Sequence, residues 1–450
     1  MMDDEAGQLS MLLAFRAENT YSFYDELDFS LEATAQAEKG VPRTVQWHQK
    51  GGRPLRVLPA AGVFGANASG KTNLLKALSD LREHVLFSFR SGDPSGGIRR
   101  PSFRLTPEAA EKTTRYEVDV VLNGVRHEYG VAMNDQYVLH EWAYRYPHGR
   151  AALLFERRHG KPVDLPVGKR SIGRAIERIA RPNSLFLSAA AAGNHPDLLP
   201  IYEWFGQNLM LAEASSRQAR WAFTAQLLRE DSSREQVLAL LRAADLGIAD
   251  VKIRPPDPKV MERVRRAALI LAGREDDAEG FPDIELTELG LVLSHQGAKE
   301  DVEFNVSEES LGTLVWLGLV GPVFDALRSG SVLLVDELES SLHPILAARV
   351  IGLFQDSEAN PKGAQLIFSS HAPTLLGNAS HARPLGRDQI WFTEKLTDGR
   401  SRLYPLSDLS PRQEEAIGKR YLSGRYGATP IVSHEEFVEV ARLIATGSRR

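Results

Sequence analysis

The stretch "VFGANASGKTNLLKAL", Val63 to Leu78, decides how this chain is read. An apolar run enters a loop with the spacing Gly-x4-Gly-Lys-Thr, from Gly65 to Thr72. Leu74, Leu75, Leu78 and Leu81 then share one face of a helix. By average residue usage the pattern arises by chance in about one chain in a hundred of this length. Strand before and helix after is the context it requires; the bland alternative is a glycine turn that only opens a helix. Such a loop turns backbone N–H groups toward phosphates at a helix N-terminus. The candidate nucleotide-binding residues are therefore Gly65, Asn67, Ser69, Gly70, Lys71, Thr72 and Asn73. Lys71 is expected to reach the β- and γ-phosphates, and Thr72 to ligate magnesium.

A phosphate loop needs a distant acid for its metal, at the end of a buried strand. "SVLLVDELE" supplies one, because Val332 to Val335 is a continuous apolar run of the kind buried on both faces. Asp336 is expected to hold the metal and Glu337 to polarise the attacking water. Upstream, "EESLGT" opens a predicted helix with Ser310 as its cap, and Gly312 lets backbone approach an anion. A second phosphate site on a second helix end is surplus in a GTPase or kinase. It makes sense when two copies sandwich the nucleotide and exchange Ser310 and Gly312. "LIFSSH" ends another apolar strand at His371, placed for the γ-phosphate.

The remaining sequence bounds the answer. The 450 residues suffice for two or three lobes, and a net charge of -5 argues against a uniformly basic nucleic-acid coat. Without cysteine there is no disulfide or thiolate metal site. The acidic start does not resemble a signal peptide, and Leu311 to Ala326, the longest apolar run, reads as too short and too interrupted to span a bilayer. A cytoplasmic protein without membrane contact is expected. Strand-like alternation opens the chain, "RVLPAAGVFG" reads as one short strand, and Asn123-Gly124 marks a hairpin followed by "YVLHEWAYRYP". From about Phe155 to Asp283 the pattern is mostly helical, basic over Glu156 to Arg181 and acidic over Glu275 to Glu288. Strand–helix alternation then returns, so one α/β core interrupted by a helical insertion is the economical reading.

In this order and spacing the motifs resemble the ATP-binding-cassette ATPases of the RecF/SMC-like branch, and within it the stand-alone ATPases of bacterial abortive-infection and anti-phage systems, the RloA/AbiL and OLD-like group. The likeness spans most of the chain: "LLAFRAENTYSF", "FGANASGKTNLLKAL", "AADLGIADVKI", "ESLGT" as the signature, "LLVDELESSLHP" as Walker B and D-loop, "FSSHAPTLL" as the His-switch, and "YLSGRYGATPIV" as the tail. The resemblance implies an α/β ATPase head with an N-terminal antiparallel β subdomain and an inserted, mostly helical subdomain. Its expected divisions are 9–150, 151–289, 290–400 and a tail at 401–450. It implies ATP and Mg²⁺ as cofactors, Lys71, Glu337 and His371 as catalytic groups, and Thr72 with Asp336 on the metal. Ser310 and Gly312 would act in trans, with Ser341 and Leu342 at the seam of a homodimer or higher homo-oligomer. Tyr21 stands where the group often has a basic residue, and the glutamine loop has no clear counterpart, with Pro101 to Leu105 the nearest candidate.

The function implied is ATP hydrolysis that senses for, or regulates, a separate nuclease or toxin, for which a Toprim-type nuclease is one form. No acidic Toprim-like cluster stands out in the eighty or so residues after His371. The alternative is a RecF/SMC-like DNA-repair ATPase in direct contact with DNA or RNA. The stretch 156–182 holds eight Lys/Arg against three acids, which suits a phosphate-backbone groove or an ordinary solvated helix face. A transport cassette fits less well given the large insertion. A GTPase lacks its Asn-Lys-x-Asp base-reading motif here.

Overall fold

The computed structural model describes residues 9–35, 37–45, 54–213, 216–254, 290–377, 384–411, 415–430 and 433–446. The acidic stretch Glu275 to Glu288 and the last two residues of "YLSGRYGATPIV" lie outside them. The central sheet has six strands in the order Leu209–Ala212, Val332–Val335, Gln365–Ser370, Ala60–Gly65, Ile390–Lys395 and Ser401–Pro405. The first five are parallel and the last is antiparallel to its neighbour. Register does the functional work. Val335 lies opposite Phe368, and Ser370 opposite Phe64. The loops leaving three strands therefore start at one edge of the sheet, the carboxyl edge where ligands bind in open α/β folds.

Strand residues alternate between two buried clusters, as a period of two requires. Ala61, Val63, Leu334, Ile367 and Trp391 face a core shared with the Lys71–Phe87 helix and the antiparallel sheet. Ala60, Phe64, Leu333, Val335, Leu366 and Phe368 face the other core, under helices 217–229, 231–242, 311–329 and 344–355. Pro59 interrupts the expected single strand, so Leu55–Val57 pairs with Arg43–Val45 and only Ala60–Gly65 enters the central sheet. Proline cannot donate to a ladder, which explains the break.

The antiparallel sheet has the order Leu27–Ser30, Met11–Glu18, Thr114–Leu122, Val125–Met133, Val138–Tyr146 and Ala152–Arg158. The hairpin at Asn123-Gly124 has both residues at positive φ, 50° and 73°, as the tight primed turn demands. Ala152–Arg158 was expected at the start of a helical segment. It is instead an edge strand, because Leu154 and Phe155, consecutive residues where the register with Ala143 and Tyr144 shifts, are both buried in this sheet's core. The region beyond is mostly helical but lends Leu209–Ala212 to the central sheet. A small third sheet joins Ile248–Ile253, Leu291–His295 and Val302–Asn305.

Leu311–Ser329 is one helix of 19 residues that continues through Pro322. By length and composition it could cross a membrane, contrary to the expectation from the sequence. Here it is a core helix. A Cβ at Gly318 would crowd the Trp221 ring, and Trp221 Nε1 donates to the Leu314 carbonyl at 2.7 Å.

Glu141 ties the antiparallel sheet to the helices beside the phosphate loop. It is fully buried and accepts from the Phe186 and Leu187 amides at 2.6 and 2.9 Å and from the Tyr129 hydroxyl at 3.1 Å. Burial pushes its carboxyl pKa up, opposed by Arg157 at 3.7 Å and by those donors. Glu141→Ala would strand the Arg157 charge and two helix N-terminal amides. The expected loss is about 3–5 kcal/mol of stability, read by urea unfolding; a loss under about 1 kcal/mol would show the network to be dispensable.

Candidate nucleotide site

Gly70 begins the phosphate-loop helix at φ 110°, and Ala68 also sits in the left-handed region at 61°. A side chain at Gly70 would be strained and would strike the Ser22 and Ser401 hydroxyls. These hydroxyls form a brace: Ser401 Oγ donates to Ser22 Oγ at 2.7 Å, and Asn73 Nδ2 donates to Ser22 Oγ at 2.8 Å. On the other flank Ser69 Oγ and Thr393 Oγ1 share a hydrogen bond of 2.7 Å, and a Cβ at Gly65 would collide with Thr393. The loop is thus clamped between the N-terminal turn and the strands after His371. Asn67 lines the cleft that this arrangement opens.

Lys71 is almost fully buried and its Nζ donates to the Gly65 and Ala66 carbonyls, both at 2.9 Å. Burial lowers its pKa, while Glu339, Glu337 and Asp336 oppose that shift. An ammonium held over the loop is positioned to exchange carbonyl oxygens for phosphate oxygens. Lys71→Ala is expected to weaken ATP binding by roughly 10- to 100-fold, the worth of a charge-assisted hydrogen bond. Titration of a fluorescent ATP analogue checks it, and unchanged affinity would remove Lys71 from the phosphate site.

Thr72 Oγ1 donates to Asp336 Oδ1 at 2.8 Å, across 264 positions of sequence. A hydroxyl and a carboxylate are the hard oxygen donors that suit magnesium, which takes one or two protein ligands and completes its shell with phosphate and water. Among the described residues no group of three or more His, Cys, Asp or Glu side chains that could hold a metal ion forms. Ser369 Oγ donates to the same Oδ1 at 2.6 Å and accepts from the Glu337 amide at 2.7 Å. Glu337 stands at φ 53°, an uncommon conformation for a residue with a Cβ. Its carboxylate is 3.7 Å from His371 Nε2, and both side chains are about 40% exposed. The amides of His371 and Ala372 donate to Glu339 Oε1 at 2.7 and 3.2 Å, which fixes the turn carrying the imidazole.

Lys71, Thr72, Glu337 and His371 all line one cleft of 910 Å³. Arg99 to Leu105, Lys395 and Tyr21 line it as well. Arg100 anchors the 99–105 segment through Asp135 at 2.6 Å and the Lys112 carbonyl at 2.8 Å. Pro101 to Leu105, the nearest candidate for a glutamine loop, therefore does border the site, though it has no glutamine.

Ser310 and Gly312 lie elsewhere. Ser310 is exposed at the start of its helix, where its Oγ accepts from the Thr313 amide at 3.1 Å. Gly312 packs against the Ser341 carbonyl and lines a separate cavity of 460 Å³ with Ser341, Leu342, His343 and Arg349. No residue lines both cavities.

A protein-family comparison now bears on this geometry. The family described as "AAA domain, putative AbiEii toxin, Type IV TA system" matches residues 60–377, from the phosphate-loop strand to the turn after His371. The chain belongs to this AAA family. No curated protein matches the sequence. Solved structures that match the AAA chain include the SMC head domain from Thermotoga maritima, 12% identical, covering 88% of this chain and 98% of that one with a TM-score of 0.38. An SmcHead bound to the C-winged helix domain of ScpA is 13% identical, with 88% and 99% coverage and a TM-score of 0.41. The Smc head domain with an extended coiled coil bound to the C-terminal domain of ScpA, derived from Pyrococcus furiosus, is 11% identical, with 89% and 98% coverage and a TM-score of 0.37.

Two further sequence features of this AAA chain resolve as packing. Tyr421 and Tyr426 of the tail stack on Phe392, each with centroids 5.6 Å apart, and both are buried. In the basic stretch, Arg157 and Arg181 donate to buried backbone carbonyls. Arg158 and Arg174 pair with Glu156 and Glu177. Arg157 and Arg181 are thereby engaged by the fold, Arg158 and Arg174 sit in surface ion pairs, and Arg170 and Arg178 are exposed. Ser22, Ser369, Thr393 and Ser401 are the residues that motif reading did not single out. Small hydroxyls facing loop glycines leave no linear pattern.

Proposed function

We propose that the chain is a magnesium-dependent ATPase in which two copies close around two ATP molecules, and that this cycle senses for or regulates a separate nuclease or toxin in anti-phage defence. The observation that carries the two-copy reading is the separation of the half-sites. The Lys71–Thr72–Glu337–His371 cleft and the Gly312 cavity share no lining residue, which supports a nucleotide in the first meeting Ser310 and Gly312 from another copy.

In this mechanism Lys71 and the loop amides bind and orient the phosphates. Thr72 and Asp336 would hold the metal, which neutralises charge building on the transferring phosphoryl group. Glu337 takes the proton of the attacking water, and His371 stands close enough to orient both that carboxylate and the γ-phosphate. Ser310 and the helix N-terminus behind it complete the anion shell across the seam. Hydrolysis removes the γ-phosphate and lets the copies part.

Support for the defence setting is the family description, which names AbiEii toxin and a Type IV TA system. Capture of Glu337→Gln with ATP from the native host, followed by mass spectrometry and nuclease digestion, tests it. A stoichiometric nuclease-like or toxin-like protein is the expected result. Nucleic acid alone would instead favour a DNA-repair clamp. In that case charge reversal at Arg170 and Arg178 should abolish DNA-stimulated hydrolysis.

A further inference from the structure

Ser369 sits where two functions of the site meet. It is fully buried at the end of the strand beside Val332–Val335, one residue beyond the pair formed by Val335 and Phe368. A buried serine usually spends its hydroxyl on nearby backbone. Here both capacities of the hydroxyl go to the neighbouring strand's acidic turn: its proton to Asp336 Oδ1 at 2.6 Å, and its lone pair to the Glu337 amide at 2.7 Å. The Ser369 carbonyl accepts from the Leu338 amide at 3.1 Å, so the whole turn is pinned to this residue.

The consequences differ for the two acids. Asp336 Oδ1 takes protons from both Thr72 and Ser369, while Oδ2 has no hydrogen-bond partner among the described residues. The carboxylate is thereby held with one oxygen committed and the other available to a cation. Glu337 needs its amide anchored to stay in the left-handed conformation at φ 53°, which side chains with a Cβ adopt at a cost. That conformation sets the direction in which its carboxylate leaves the sheet edge, toward His371.

We infer that Ser369 is a positioning residue that locks the carboxylate of Asp336 and the backbone of Glu337 into one unit, so that metal binding and water activation are set together. This rests on the reading of Thr72 and Asp336 as magnesium ligands. Partners that orient metal ligands from behind typically change metal affinity or activity by 10- to 100-fold when removed.

The test is Ser369→Ala in the full chain, with binding of a fluorescent ATP analogue measured across a Mg²⁺ titration and in EDTA. Half-saturating Mg²⁺ should rise about 10- to 100-fold while metal-free ATP binding stays unchanged, and kcat should fall with KM for ATP at saturating Mg²⁺ preserved. In an Asp336→Asn background Ser369→Ala should shift the Mg²⁺ half-saturation no further, because that part of its effect runs through the carboxylate, whereas its loss in kcat through the Glu337 amide should persist. Ser369→Thr, which keeps the hydroxyl, should hold Mg²⁺ half-saturation near the wild-type value. Wild-type Mg²⁺ dependence in Ser369→Ala, or effects on Mg²⁺ half-saturation that multiply in the Asp336→Asn background, would overturn the inference alone. ATP binding by the wild type that ignores Mg²⁺ would overturn the metal reading beneath it.

Discussion

Glu337→Gln is expected to bind ATP normally, hydrolyse it about 10²- to 10⁴-fold more slowly, and accumulate as an ATP-bound dimer. The range is that for loss of a positioned general base. Gln keeps the size of the side chain and can remain at φ 53°, since the Ser369 hydroxyl accepts from its backbone amide rather than from its side chain. The phosphate loop is untouched, because Lys71 and Thr72 are anchored through Gly65, Ala66 and Asp336. Only the proton acceptor near His371 is lost. Sedimentation with saturating ATP and magnesium, alongside phosphate release, reads both effects. A variant that stays monomeric under those conditions would sink the two-copy model; one that hydrolyses at the wild-type rate would free Glu337 from its role.

The second large effect concerns the other half-site. Ser310→Arg should leave ATP binding to an isolated subunit within about 2-fold of wild type, yet cut hydrolysis by roughly 10²- to 10³-fold, as loss of a charge-stabilising contact does. The side chain is exposed and bonds only Thr313 among the described residues, the amide at 3.1 Å as a cap worth about 1 kcal/mol and the hydroxyl at 2.8 Å, so folding should survive. The sharper form of the test mixes this variant with Lys71→Ala. In a mixed dimer the intact phosphate loop of one copy meets the intact Ser310 of the other, and one complete site is rebuilt. Activity should therefore return on mixing two variants that are each inactive. If the mixture stays inactive and Ser310→Arg alone fails to bind ATP, Ser310 belongs to its own copy's nucleotide site.

The two tests separate the chemistry from its purpose. Both can succeed whether the partner is a toxin, a nuclease or DNA, so the host capture carries the biological assignment by itself. The structure narrows that choice in one respect. Arg157 and Arg181 are committed to backbone carbonyls, and a nucleic-acid groove would have to be built chiefly from the more exposed Arg158, Arg170, Arg174 and Arg178.

Several features were legible in the residues because their groups are contiguous or periodic. The loop from Gly65 to Thr72 carries its own backbone geometry, and no distant residue is needed to recognise it. Val332 to Val335 announces a strand buried on both faces, which puts Asp336 and Glu337 at its end. Asn123-Gly124 fixes a hairpin through φ alone. The extent of the antiparallel sheet was less visible, since Ala152–Arg158 becomes a strand through burial of Leu154 and Phe155 against partners far apart in sequence.

What tertiary structure alone decided is which side chains meet. The register of parallel strands, with Val335 opposite Phe368, brings Ser369 within hydrogen-bond reach of Asp336, and strand order brings Thr393 to Ser69 and Ser401 to Ser22. No spacing along the chain encodes those meetings, because strand pairing is set by the packing of two cores on opposite faces of one sheet. The same packing places Gly312 against Ser341, in a cavity apart from Lys71. The sequence by itself determined that a phosphate-binding loop and its acids are present; the fold determined that the cleft and the Gly312 cavity have separate linings, because the Lys71 helix packs on one face of the sheet and the Ser310 helix on the other.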